Sequence, residues 1–201
     1  MSGVPGQGRK FDYDTALDRA MHVFWRHGYE GTSIAMLTKA MRIKAPSLYA
    51  AFGSKKDVFF AAVDRYNATH GAFTARVFAE ESDSRNLIRR LLMEAAEAYA
   101  PEHCPGGCLI IASAVAVGST NQHVAERLRD MRNANITLLS ERLATDRDRG
   151  LIPHDTEPHA VAEFIGAVVQ GMSQRARDGL GAKELRKIAD TACRGLGFIP
   201  V

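Results

Sequence analysis

The sequence has only three cysteines, Cys104, Cys108 and Cys193. An odd, small set does not make a disulfide framework, so free thiols in a reducing compartment are expected. Long hydrophobic runs are missing too. The longest covers residues 108–117 and already contains Ser113, well short of the roughly 18 apolar residues that span a bilayer. The opening Met-Ser-Gly-Val-Pro-Gly-Gln-Gly carries no apolar segment of the kind a secretion signal requires, which predicts a cytoplasmic protein with no membrane association. Catalytic signatures are absent as well. There is no Gly-x-Ser-x-Gly elbow, Gly-x-Gly-x-x-Gly loop, Gly-x-x-x-x-Gly-Lys loop or His-Glu-x-x-His pair, and the seven histidines are scattered. No enzyme, cofactor or metal centre is expected. Nor does any segment alternate polar and apolar residues as a half-buried strand does.

What remains is helical. With 46% hydrophobic and 24% charged residues, the 201-residue chain has the composition of one globular domain, or one with a small appendage. The pattern predicts an all-α fold of about nine helices in three parts: a flexible basic arm over 1–10, a helix-turn-helix domain over 11–54 and a larger body over 55–201. Residues 13–27 form the first helix, with Asp12 as N-cap, an apolar stripe at Leu17, Met21 and Phe24, and Gly28 as its stop. Thr32 is placed to cap a short second helix bearing Ile34, Leu37 and Met41. After the joint Arg42-Ile43-Lys44, a third helix spans 46–52, with Pro46 in its first turn, where no N–H is needed. A fourth starts near Lys55 and buries Val58, Phe59, Ala62, Val63 and Tyr66. Further helices are expected over 84–100, 107–118, 122–149, 158–178 and 182–196, with Pro101, Pro105, Pro153 and Pro158 at the joints.

Charge is uneven along this chain. The net charge is +3, but residues 1–60 hold nine Lys/Arg against five Asp/Glu while the remainder is close to neutral. A basic first third points to a polyanionic partner there. Short helices joined by a tight turn are the helix-turn-helix pattern, in which the third helix enters the DNA major groove. The residue types suit that task. Ala45, Ser47, Ala50 and Ala51 are small enough to seat closely, Lys44, Ser47 and Tyr49 supply donors, and Leu48 and Phe52 face inward. Thr32 and Ser33 open the second helix, and Lys55 and Lys56 the fourth, where free N–H groups and the helix dipole attract phosphate. Arg9 and Lys10 fit either a minor-groove arm or a solubilising tail.

The segments Phe24-Trp25-Arg26-His27-Gly28-Tyr29-Glu30-Gly31-Thr32-Ser33 and Ser47-Leu48-Tyr49-Ala50-Ala51-Phe52-Gly53-Ser54-Lys55 closely resemble the N-terminal domain of the TetR/AcrR family of transcriptional regulators. The resemblance covers roughly residues 11 to 66. It implies an all-α homodimer bound to a palindromic double-stranded operator, most simply a repressor released by a small-molecule effector in the body. It assigns Thr32 and Ser33 to a phosphate-contacting cap, Tyr49 to a DNA-contacting tyrosine and Lys55 to a phosphate-binding lysine. Lys44, Ala45, Pro46, Ser47 and Ala50 fall on the positions that tune sequence preference. Two departures stand out. Arg42 occupies a turn position usually held by Gly, and a left-handed backbone there would cost on the order of 1 kcal/mol. Ala50-Ala51 replace bulkier aromatic or His residues, which shifts phosphate anchoring towards Lys44, Lys55 and Lys56.

In the body, Ala162, Ile165, Gly166, Val169 and Met172 make an apolar helix face with small residues. It fits a dimer interface, which the resemblance would complete with the helix over 182–196, or an internal core. Phe73, Phe78, Tyr99, Met131 and Phe164 are candidates for an effector pocket or for plain core. The run His103-Cys104-Pro105-Gly106-Gly107-Cys108-Leu109 holds soft ligand types, but no second Cys/His cluster is evident to close a zinc site. The recognition helix looks like that of a copper-responsive branch of the family, which leaves a metal role for this run open. Cys108, opening a helix where the dipole can lower a thiol pKa, is a candidate redox or electrophile sensor with Cys104 as resolving partner. The surrounding residues resemble the sensing-cysteine region of electrophile-responsive members. The alternative is an inert buried thiol heading the apolar run Leu109-Ile110-Ile111.

Overall fold

The computed structural model describes residues 11–100, 104–114 and 121–199. The proposed basic arm, Pro101, His103 and residues 115–118 of the helix expected over 107–118 lie outside these residues. Among the described residues there are ten helices and no strand. Three short ones form the head: α1 (Tyr13–His27), α2 (Ile34–Met41) and α3 (Ala45–Phe52). Helix α4 (Lys55–Ala68) leads into the body, built from α5 (Ala72–Glu80), α6 (Ser84–Ala98), α7 (Leu109–Ala114), α8 (Gln122–Asp148), α9 (Pro158–Arg177) and α10 (Ala182–Leu196). No helix among them is long and apolar enough to cross a membrane.

Local chemistry fixes the helix ends in the head. Asp12 accepts the Thr15 N–H at 2.6 Å and caps α1, and Gly28 (φ 70°) ends it. Ser54 and Asp57 form a reciprocal capping box that starts α4. Helix α1 packs on α2 and along α4, α6 packs on α10, and α8 on α9. The core runs unbroken from head to body through Phe24, Trp25, Phe59 and Tyr66, with Trp25 and Tyr66 in edge-to-face contact at 5.0 Å. A two-pronged ion pair from Arg65 to Asp18, at 2.7 and 3.0 Å, adds to the α1–α4 seam.

Two differences from the sequence reading have local causes. Helix α5 was not expected: Gly71 starts it without a side-chain cap, and only Phe73 and Val77 in it are fully buried, too short a stripe to stand out. Helix α7 begins two residues late because the preceding loop is pinned. Gly107 is left-handed (φ +75°), and a Cβ there would lie 2.5 Å from the Ser173 carbonyl oxygen. The Cys108 N–H donates to Ser173 Oγ at 2.8 Å. Only glycine lets the loop approach α9 this closely.

Candidate nucleic-acid interface

The turn between α2 and α3 is tight because Arg42 adopts the left-handed conformation, φ 57° and ψ 41°, the only non-Gly residue at positive φ among those described. The Ile43 N–H then returns to the Thr38 carbonyl at 3.1 Å, closing the end of α2. Helix α3 leaves the turn with Lys44 as its N-cap residue and Pro46 in its first turn. Leu48 and Phe52 are buried, and Tyr13 stacks on Phe52 at 4.4 Å. The opposite face carries Lys44, Pro46, Ser47, Tyr49 and Ala50, all exposed, while Ala45 is half-buried. Tyr49 is 51% exposed. An aromatic ring presented among small residues on a short helix can reach into a groove without steric competition from its neighbours.

The phosphate candidates divide. Ser33, not Thr32, is the N-cap of α2, its hydroxyl accepting the Met36 N–H at 3.1 Å. Thr32 is 1% exposed, and its hydroxyl donates to the Gly28 carbonyl at 2.7 Å. Its hydroxyl is thus directed into the fold, whereas Ser33 stands exposed at the helix start. Lys56 is exposed and Lys55 half-buried at the start of α4. Lys55 Nζ lies 4.4 Å over the ring of Tyr29, a cation–π contact that aims the ammonium. Partial burial pushes its pKa down, and the Glu30 carboxylate partly offsets this. The buttress, Tyr29, was not singled out from the sequence by itself, although it stands inside the motif that carries the resemblance.

The head is clamped to the body. Trp25 Nε1 donates to the Gly107 carbonyl at 3.1 Å, and Arg177 Nη1 donates to the Trp25 carbonyl at 3.1 Å. On the other side, Asn121 reaches Glu30 at 2.9 Å, and the Arg127 guanidinium lies 4.4 Å over the Phe60 ring. None of these partners is close in sequence, so no local pattern announces them.

Inside the body lies a cavity of about 700 Å³, within the range of small-molecule sites. Phe73, Phe78, Tyr99 and Met131 line it, as does Cys108. Phe164 does not: it is 44% exposed on the far side of α9, in a shallow groove with Val168 and with Ile188 and Lys187 of α10. Into the apolar cavity projects Arg132, whose Nη1 is buried without a hydrogen-bond partner. Desolvation pushes the Arg132 pKa down, and no carboxylate among the described residues pairs with it.

For the cysteines and the α9 face the sequence left two readings each, and burial bears on both. Burial raises the Cys108 thiol pKa, outweighing hydrogen bonds from the Ile111 backbone and the Tyr66 hydroxyl. The thiol is therefore held neutral, not activated, and no disulfide joins it to Cys104. Ala162, Ile165 and Met172 have at most 1% exposure within one subunit, and Ala162, Ile165, Gly166 and Val169 line the cavity. A side chain already buried in its own subunit has no surface to give a second copy. The outward face of α9 bears Phe164, 44% exposed, and the half-buried Val168.

Comparison with known proteins agrees with this architecture. Residues 16–62 match the family model described as bacterial regulatory proteins, tetR family, and residues 90–189 the tetracyclin repressor-like C-terminal domain. The chain is 35% identical over 190 residues to the HTH-type transcriptional repressor ComR of Escherichia coli, covering 94% of this chain and 90% of ComR. It is 27% identical over 184 residues to the repressor BdcR of the same organism, covering 92% and 88% of the two chains. Among solved structures, a cysteine-substituted form of the TetR family regulator CifR complexed with 26-base-pair operator DNA superposes with a TM-score of 0.87 at 36% identity, covering 94% of this chain and 98% of that one. Family-model matches to head and body, with a relative this similar along nearly the whole chain, establish that the protein is a member of the TetR family of DNA-binding transcriptional regulators and not an enzyme.

Proposed function

We propose that this protein is a homodimeric, cytoplasmic, sequence-specific transcriptional repressor that leaves its operator when a small molecule fills the body cavity. The observation that carries the reading is the outward face of α3, where Lys44, Pro46, Ser47 and the half-exposed Tyr49 stand clear of the core on a helix held by Leu48 and Phe52. The repressor names of ComR and BdcR and the operator DNA bound by CifR support it. Ser33, Lys55 and Lys56 hold the phosphate backbone, while Lys44, Ala45, Pro46, Ser47 and Ala50 set sequence preference. Phe164, Val168 and Ile188 meet their symmetry mates in the dimer, and a two-fold axis matches palindromic half-sites about one helical turn apart, or a multiple of it.

The effector is mostly apolar and carries one acidic group. It binds where Phe73, Phe78 and Met131 supply apolar contact and where Arg132 Nη1 is buried with no hydrogen-bond partner among the described residues. Helix α4 provides the linkage. It starts at Lys55, at the phosphate end, and reaches the cavity wall at Tyr66 and Asn67, a span of roughly 20 Å at 1.5 Å per residue. An effector that shifts the cavity end of α4 moves the head and spoils the spacing of the two recognition helices. A differential affinity of about 1–3 kcal/mol between the two states gives roughly 5–150-fold release.

The test is fluorescence anisotropy on DNA from upstream of the protein's own gene, against a scrambled duplex at two salt concentrations. Preferential binding with a steep salt slope is expected. Medium-chain carboxylic acids should release the DNA from the native protein and not from Arg132→Met. Equal binding to both duplexes, or release unaltered by Arg132→Met, would overturn the corresponding half of the reading.

A further inference from the structure

The soft-ligand run around Cys104 has no second Cys/His cluster beside it in sequence, but it has one in space. His22 of α1, His70 between α4 and α5, and Cys104 in the loop before α7 each bring one ligating atom to a common point, all within 4.8 Å of one another. All three are half-buried. The His22 and His70 rings meet edge to face at 5.8 Å, and the Trp25 ring lies 5.0 Å from His70 and 6.1 Å from His22, so both imidazoles are packed against fixed neighbours. No hydrogen bond among the described residues occupies these three side chains.

We propose that His22, His70 and Cys104 bind a thiophilic d10 metal ion, Zn²⁺ or Cu⁺. Two imidazoles and one thiolate suit such ions, whereas Mg²⁺ and Ca²⁺ require oxygen donors. Bonds of about 2.0–2.1 Å to nitrogen and about 2.3 Å to sulfur place donors roughly 3.3–4.0 Å apart around a metal centre. The set therefore closes on the ion by less than about an ångström, within reach of small side-chain rotations. Three protein ligands complete a trigonal Cu⁺ site, or leave Zn²⁺ one position for water. Asp18 of α1 is engaged by Arg65 and does not compete.

The position gives the ion a consequence. His22 lies one turn before Trp25, whose indole N–H holds the Gly107 carbonyl, and Cys104 lies just upstream on the loop that carries Gly107 and Cys108. A bound metal ties the first helix of the head to the α4–α5 joint and to a loop bordering the cavity. It thereby fixes the head against the body at the point where effector-driven motion must pass. This last step rests on the proposed regulatory reading; the binding itself does not.

The test uses the full chain, reduced and stripped with chelator. Co²⁺, standing in for Zn²⁺, should bind at one equivalent with a thiolate charge-transfer band and tetrahedral d–d bands. Zn²⁺ should displace it, and in a separate arm Cu⁺ should be retained against bicinchoninate. Which of the two native ions competes better identifies the occupant. Cys104→Ser should abolish the charge-transfer band, and His70→Gln should weaken binding by at least about 100-fold. His123→Ala, on the exposed face of α8, should change nothing, and circular dichroism verifies that each variant is folded. Neither Co²⁺ bands nor Cu⁺ retention, or binding that survives Cys104→Ser and His70→Gln together, would overturn the site. Operator affinity with and without one equivalent of metal is read separately. A metal that binds without altering it would remove the coupling and leave the site.

Discussion

Arg177, at the end of α9, donates from Nη1 to the main-chain carbonyl of Trp25 at 3.1 Å, so a body helix caps the last turn of the head's first helix. Its Nη2 reaches the Arg26 carbonyl at 3.3 Å. A cation is thus placed on carbonyls that a helix end leaves unpaired, where the dipole favours positive charge. Trp25 completes the joint by donating its indole N–H to Gly107. Head, loop and α9 are held through one residue.

Removing that clamp with Arg177→Ala should cost only about 1 kcal/mol, because the side chain is largely exposed. For a domain of this size that corresponds to a fall in Tm of roughly 2–4 °C. The larger effect should fall on coupling: operator affinity without effector stays within about 3-fold, while release by effector weakens. Thermal unfolding and anisotropy measure the two quantities, and a variant with unaltered release would show that the joint carries no signal.

At the DNA face, Tyr49→Ala should weaken binding to all sequences without changing the slope of log affinity against log salt. Lys55→Ala should weaken binding too and flatten that slope by about one unit, since it removes one phosphate contact. Changes at Lys44 or Ser47 should instead reorder sequence preference. If none of the four alters binding, the face is misassigned.

The turn at Arg42 offers a stability test. In the left-handed region, Arg42→Gly relieves strain of about 1–2 kcal/mol and gives back about 0.4–1 kcal/mol through a more flexible unfolded chain. The net effect is neutral to slightly stabilising. Arg42→Val, β-branched and ill-suited to positive φ, should be destabilised by more than about 1 kcal/mol. Urea unfolding of the pair measures the difference, and equal stabilities would mean the turn opens at little cost.

Cys108, Tyr66 and Tyr99 meet at the cavity, and burial raises all three pKa values above the ordinary 9.0 of a thiol and 10.0 of a phenol. Each group stays protonated when folded and loses its proton first when unfolded. Their contribution is therefore complete below pH ~9 and is lost as pH rises through the folded-state values. Stability should decline from about pH 9 upward, and Tyr99→Phe should make the decline shallower. Native Cys108 should also react with iodoacetamide more slowly than the half-buried Cys104 at pH 8. Rapid labelling of Cys108 would restore the thiol-sensor reading.

Much of the head was legible because its determinants are local. Asp12, Gly28, Pro46 and Gly53 punctuate the helices, and the spacing of Leu48 and Phe52 already assigns the inner face of α3, leaving Tyr49 outside. The family motif added the roles. The body was read less well. The stripe Ala162, Ile165 and Met172 is apolar by composition, but only packing against α8 and α6 decides that it faces the subunit's own interior. Thr32 and Ser33 are equally plausible caps until the chain's path at Gly28 turns the Thr32 hydroxyl inward.

The sequence by itself determined the all-helical fold and the helix-turn-helix, because periodicity, caps and glycine positions act over a few residues and survive without tertiary context; the family came from the resemblance of its motif. Only the tertiary structure decided which way α9 faces, that Arg132 Nη1 is buried with no partner among the described residues, that Cys108 is held neutral, and that His22, His70 and Cys104 converge. Each of these depends on desolvation or on contact between segments tens of residues apart, and such terms exist only once the chain has folded.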